Sequence, residues 1–218
     1  MTTPTPRPPL TLRFLRTGIG SLIGLVGLMW AIEVLDTVAL GDRLQANGIG
    51  PRRIEGLDGI LWAPLLHSDF GHVASNSIPF LVMGWLIMLR GRRFWWAITL
   101  SSAIFGGALV WLLAGGSNHI GASGVVFGYF GALMGAAAKS RAPTKLAPAL
   151  VAVFLYGTIL VGTVPQDRIS WEGHLFGLIV GAVVAYRLTD PPKPRVDDDG
   201  PMYEWELDEP WRVEGGDN

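Results

Sequence analysis

Six apolar stretches, at residues 18–40, 73–89, 94–114, 120–138, 146–164 and 171–188, constrain this chain more than any other feature. Crossing the ~30 Å hydrocarbon layer of a bilayer takes about 20 residues of helix. The second and sixth stretches are short for that, which suits helices that begin inside protein or at a thinned bilayer edge. None of the six alternates with period two, and all are too long for strands, so the pattern predicts helices. The expected fold class is an all-α membrane protein, a six-transmembrane-helix bundle over residues 18–189. The first stretch runs too long for a signal peptide, continues through Glu33 and Asp36, and lacks a small-x-small cleavage site, so it reads as a retained helix.

Charge supplies the orientation. Charged residues make up only 16% of the 218, against ~25% in soluble domains. Residues 1–189 carry 14 Lys and Arg against 8 Asp and Glu, whereas residues 190–218 carry 3 against 10. Arg7, Arg13, Arg16, Arg90, Arg92, Arg93, Lys139, Arg141, Lys145 and Arg187 fall on one side of the six-span topology; Arg43, Arg52, Arg53 and Arg168 fall on the other. The positive-inside rule then puts both termini in the cytoplasm. The expected location is the cell membrane. Residues 1–17, rich in proline, and the acidic 190–218 read as cytoplasmic tails, the latter disordered and solvated, with a docking motif around Tyr203, Trp205 and Trp211 as the less favoured reading. The first loop, 41–66, carries Ile49, Ile54, Leu57, Ile60, Leu61 and Trp62, and is expected to pack on the membrane surface. The chain has no cysteine, which excludes disulfides, thiolate catalysis and Cys-ligated metal sites. Nothing in the composition points to nucleic acid.

Ionisable groups inside a membrane are costly and usually functional. All four histidines, His67, His72, His119 and His174, fall on the non-cytoplasmic side. With a helix rise of ~1.5 Å per residue, His72 and Asn76 lie in the first turns of the second span. Ser123 and His174 each lie about a turn into the fourth and sixth. Four polar groups on three helices thus share one shallow depth, facing one aqueous side. His72 and Asn76 are four residues apart and share a helix face. Pro79 leaves the Ser75 carbonyl without its helical donor, so a local distortion is expected there.

Ser123 sits in Gly121-Ala122-Ser123-Gly124. A serine hydroxyl attacks a carbonyl only when a base takes its proton. Flanking glycines admit a close backbone approach, and free N–H groups at a helix start stabilise an oxyanion. Taken alone, such a tetrapeptide is more often a packing feature, and Val125 stands where a soluble hydrolase's nucleophile elbow has its second glycine. Around His174, Gly173, Gly177 and Gly181 form a four-residue repeat that smooths one helix face, and the fourth span offers Gly124, Gly128, Gly131 and Gly135. Two such faces packed together bring Ser123 and His174 within hydrogen-bond reach if the registers match.

The ordered set His67-x4-His72-x3-Asn76, Gly-Ala-Ser-Gly, and Gly-His-x-x-Gly-x-x-x-Gly in six-span context resembles the signature of rhomboid intramembrane serine proteases, over roughly residues 15–190. The resemblance implies a Ser–His dyad without an acidic third member: Ser123 as nucleophile and His174 as general base. It implies that His72 and Asn76, with the Ser123 backbone N–H and Gly121 beside it, hold the oxyanion and position substrate. It also implies that Phe127 stacks on the base and that His67 is structural, bonding within the first loop. The expected activity is cleavage of peptide bonds in or near transmembrane segments of other membrane proteins, with no cofactor and no metal, in contact with membrane lipid, at a site opening to the extracytoplasmic side.

Two departures stand out. Family members commonly carry Tyr where this chain has Phe127, and many have a Trp-Arg pair in the first loop, where Trp62 has no adjacent Arg. Three other readings remain. One is a catalytically silent relative that binds membrane helices. Another is a metal site on His67, His72 and His174, which lacks a His-Glu-x-x-His motif. The third is a channel, disfavoured by the glycine-rich faces. Glu172 is a candidate orienting acid two residues before His174, Glu33 and Asp36 are either buried or facing water, and His119 reads as an interfacial loop residue.

Overall fold

The computed structural model describes residues 10–191 apart from 117, 141 and 166–168; side chains are described from residue 18 on, residue 159 excepted. Most of the two expected tails, including Tyr203, Trp205 and Trp211, lies outside these residues. So do the side chains of Arg7, Arg13, Arg16, Arg141 and Arg168 that contributed to the orientation argument.

Helix α1 (Leu10–Leu35) begins inside the stretch expected to be a tail, since no proline follows Pro9 to stop it. It continues as a π-helical turn, Asp36–Leu40, and ends at Gly41, whose φ of 61° is the left-handed conformation glycine adopts without a Cβ penalty. Both acidic residues of this helix are buried, and the Asp36 carboxylate accepts the Leu44 N–H at 2.9 Å, so it shapes the turn into the first loop.

Helix α2 (Phe70–Met88) starts at Asp69, whose carboxylate accepts the His72 N–H at 2.9 Å as an N-cap. The helix is unbroken through Pro79, and Ser75 lies beside an open cavity. Helix α3 (Arg92–Leu113) contains a π-helical turn at Ser102–Gly106. Helix α4 is Ser123–Ser140, α5 is Pro143–Tyr156 with a 3-10 extension Gly157–Thr163, and α6 is Trp171–Leu188. Gly18–Leu40, Phe70–Met88 and Arg92–Leu113 are long and apolar enough to cross a membrane, and Pro143–Tyr156 is a shorter apolar helix. The described residues hold no strand; Ile49 and His119 form an isolated antiparallel bridge.

The core lies where α2, α3 and α4 meet. Phe80, Met83, Ile87, Trp95, Ile98, Tyr129 and Phe130 are buried there. Two of its polar pairs bond internally: the Tyr129 hydroxyl bonds Thr99 Oγ1 at 2.8 Å, and Trp30 Nε1–H donates to Ser77 Oγ at 3.0 Å. The most extensive helix pair is α4 with α6. A Cβ on Gly177 would run into the Gly124 carbonyl, one on Gly181 into the Gly128 carbonyl, and one on Gly135 into the Ala182 carbonyl. The two glycine faces read from the sequence are therefore packed backbone to backbone, as small-residue faces allow in membranes.

One face of the first loop packs on the protein. Ile49 is buried and, with Ile60, packs on Val110 and Trp111 of α3, while Ile54, Leu61 and Trp62 point outward. Arg52 holds a positive φ of 57° and donates through Nη1 to the Ala114 carbonyl at 2.7 Å, capping the end of α3. Trp111 Nε1–H returns a bond to the Arg53 carbonyl at 2.8 Å. The loop is docked on the protein because these end-of-helix carbonyls need donors that the apolar helix cannot supply.

Candidate active site

The segment that delivers Ser123 is tied to the first loop residue by residue. His119 exchanges backbone bonds with Ile49, the Gly121 N–H donates to the Ala63 carbonyl at 2.8 Å, and the Ala122 N–H donates to His67 Nε2 at 3.4 Å. Gly121 has φ 108°, outside what other residues tolerate, and this bend ends the loop. The first helical carbonyl is that of Ala122, which accepts from Val125 and Val126. Ser123 is therefore the first residue of α4, not a turn inside it. Its own N–H and that of Gly124 have no hydrogen-bond acceptor among the described residues, which leaves two donors and the positive end of the helix dipole beside the Ser123 hydroxyl.

His174 is in the first turn of α6, its N–H donating to the Ser170 carbonyl at 3.1 Å. Its ring is held on three sides. Nδ1 lies 2.9 Å from the Gly162 carbonyl, Nε2 lies 2.8 Å from Ser123 Oγ, and Phe127 stacks on the ring face with centroids 4.2 Å apart and planes 7° from parallel. A carbonyl only accepts, so the Nδ1 contact assigns the proton to Nδ1 and leaves Nε2 as acceptor for the Ser123 hydroxyl. Glycine at 162 leaves room for this fit, because a Cβ would lie a tight 3.0 Å from Nδ1 and 3.1 Å from Phe127 Cζ. Among the described residues no carboxylate takes the orienting position: Glu172 Oε1 accepts the Gly115 N–H at 3.1 Å instead.

His72 and Asn76 face the same space. Ser68 N–H donates to His72 Nδ1 at 3.4 Å, which leaves Nε2–H directed toward Gly121, where a Cβ would stand 2.8 Å from Nε2. Asn76 is buried and donates to the His72 carbonyl at 3.1 Å. An open cavity of about 420 Å³ is lined by His72, Asn76, Ser123, Ser170 and His174. Gly121 differs from its expected part in one respect: its N–H is taken by Ala63, so it makes room for His72 without offering a donor. His67 is fully buried and also bonds across to Ala122 beyond the first loop, with its ring edge-on to His72 at 5.0 Å. Burial holds the His67 imidazole well below its ordinary value, down to about 4, and the Asp69 carboxylate is held low by the His72 N–H and the Ser68 hydroxyl it accepts.

Among the described residues no group of three or more His, Asp or Glu is arranged to hold a metal ion, so His67, His72 and His174 do not converge as ligands. His119, read as an interfacial loop residue, is buried and bonds Ser170 and Gly115. Sequence reasoning missed Gly162, Ser170 and Ala63 altogether. The chain is 38% identical to uncharacterised proteins of Mycobacterium tuberculosis and Mycobacterium bovis over 208 residues, covering 88% of this chain and 86% of theirs. An uncharacterised protein of Mycobacterium leprae is 36% identical over 191 residues, covering 83% of this chain and 74% of its own. A rhomboid domain matches residues 56–191, more than half of the sequence. With two apolar spans and the packed glycine faces inside that domain, the protein is a membrane protein that belongs to the rhomboid family.

Proposed function

We propose that the protein is an intramembrane serine endopeptidase that cuts peptide bonds in or beside the transmembrane segments of other membrane proteins. The observation that carries this is the 2.8 Å contact between Ser123 Oγ and His174 Nε2, with the histidine's other nitrogen occupied by the Gly162 carbonyl. In that tautomer Nε2 takes the hydroxyl proton as Oγ bonds to the scissile carbonyl carbon. Charge develops on the carbonyl oxygen in the cavity, within the field of the α4 N-terminus. The Ser123 N–H, His72 Nε2–H and the free amide N–H of Asn76 are the donors for it. The His174 imidazolium then gives its proton to the leaving amine. Water, activated by the same Nε2, hydrolyses the acyl-serine and restores both residues.

The reaction needs no cofactor. The topology that goes with it has six spans over residues 18–189, both termini in the cytoplasm of a cell-membrane protein, and the cavity open to the extracytoplasmic side. Residues 1–17 and 190–218 flank that domain. Substrate helices reach the site from the surrounding lipid.

The test is cleavage of a model transmembrane substrate by purified protein in detergent, comparing wild type, Ser123→Ala and His174→Ala, with an EDTA arm. Loss in both variants with EDTA resistance is the expected result. Activity surviving Ser123→Ala would sink the mechanism. If the wild type cuts nothing, a fluorophosphonate probe separates a wrong substrate, in which Ser123 is labelled, from a silent relative, in which it is not.

A further inference from the structure

Two Ser–His contacts join the α4 side of the site to α6, with identical spacing and reversed residues. Ser123 meets His174 and His119 meets Ser170, each pair 51 residues apart and the second four residues upstream of the first. We propose that His119 and Ser170 are a positioning pair that sets the register of α4 against α6, and so the distance between Ser123 Oγ and His174 Nε2. The proposal rests on the serine-dyad reading above.

Each member is fixed for the purpose. His119 is buried, and its backbone is locked to Ile49 by bonds of 2.9 and 3.0 Å in both directions. Nε2 lies 2.9 Å from the Gly115 carbonyl, which assigns the ring proton to Nε2 and leaves Nδ1 to accept the Ser170 hydroxyl hydrogen. Ser170 occupies the N-cap of α6, where a serine hydroxyl ordinarily accepts a helix N–H. Here it makes no cap bond; the hydroxyl is turned to His119. Its carbonyl accepts the His174 N–H at 3.1 Å, so a shift of Ser170 is passed directly to the base. Gly173 keeps the space open, since a Cβ there would stand 2.8 Å from Ser170 Oγ. Glu172, accepting from Gly115 at 3.1 Å, ties the same stretch to α6 a second time.

The physical need comes from the glycine faces. Smooth backbone-to-backbone contact brings α4 and α6 close but offers few interlocking side chains to stop sliding along the axis. A directional hydrogen bond supplies that stop. Ser123, His119, Ser170 and Gly173 also line one small cavity of about 40 Å³, so the pair and the nucleophile share a wall.

Asparagine and glutamine at 119 separate the two bonds, because the Asn amide falls near the Nδ1 position and the Gln amide near Nε2. His119→Asn keeps a partner for Ser170; His119→Gln keeps only the Gly115 contact. Cleavage kinetics of these two variants and of Ser170→Ala should be measured beside [15N]histidine spectra of each in detergent, a readout independent of turnover. We expect kcat to fall about tenfold or more in Ser170→Ala and His119→Gln with KM little changed, as misplacement of a base predicts. His119→Asn should stay near wild type, and the His174 ring resonances should move only in the two impaired variants. Wild-type kcat and unshifted His174 signals in Ser170→Ala would overturn the proposal, as would equal behaviour of His119→Asn and His119→Gln. A wild type that neither cleaves nor labels would defeat the protease reading instead, while the His174 spectra would still decide the positioning question.

Discussion

Phe127 and His174 lie ring on ring, 4.2 Å between centroids and 7° from parallel, while the Gly162 carbonyl takes His174 Nδ1 at 2.9 Å. Together they do what a buried carboxylate does in a Ser–His–Asp triad, holding the imidazole in one orientation and one tautomer. They do it with neutral groups, a ring face and a backbone carbonyl.

That relationship predicts the effect of changing the ring. Phe127→Leu removes a stacking contact of roughly 0.5–1.5 kcal/mol, so kcat should fall about three- to tenfold. Phe127→Tyr, which keeps the ring, should stay near wild type. Steady-state cleavage of the model substrate reads both, and a Tyr variant as impaired as Leu would argue against stacking as the cause.

His72 Nε2–H and Asn76 stand across the cavity from Ser123. If they stabilise the oxyanion, His72→Ala and Asn76→Ala should each lower kcat by about 10²-fold, in the range of single oxyanion donors. KM should change little, since a ground-state carbonyl is held more weakly than the tetrahedral intermediate. Single-turnover assays distinguish this from a binding defect, which would raise KM alone.

The glycine faces give a stability prediction with an internal control. Gly181→Ala puts a methyl into the Gly128 carbonyl, a backbone atom that cannot turn aside. Overpacking of that kind should cost about 1–3 kcal/mol. Gly24 in α1 has nothing within 4 Å of the added carbon, so Gly24→Ala should be neutral or stabilising by up to about 1 kcal/mol. Unfolding of both variants in mixed micelles checks the contrast; equal midpoints would count against close α4–α6 packing.

His67 carries a pH prediction. Its folded value, about 4, is below the ordinary 6.5, so between these pH values the unfolded chain binds the proton more readily. Its contribution to stability is present in full above about pH 6.5 and is lost as pH falls toward 4. The loss approaches on the order of 3 kcal/mol. His67→Gln should flatten that part of the stability–pH profile. An unchanged profile in the variant would assign the acid sensitivity to other groups.

Much of this molecule is local in origin, and that part is legible along the chain. Apolar run length and helical period are properties of neighbouring residues, so the helical membrane class and the α4 and α6 glycine faces can be read directly. So can the order His72, Asn76, Ser123, His174, and the family resemblance those residues carry. The start of α4 escaped because it depends on a bend at Gly121 held by Ala63, 58 residues earlier. His119 looked like a loop residue because its partners, Ile49 and Ser170, are brought to it only by the docked first loop and by α6. The Gly162 carbonyl has no side-chain signal at all, since a backbone acceptor is the same at every residue. The sequence by itself determined which chemical groups stand near the starts of which helices. Only the tertiary structure decided which of them touch, because hydrogen-bond partners across the fold are chosen by the paths of loops and the close approach of α4 and α6, and no local periodicity encodes those.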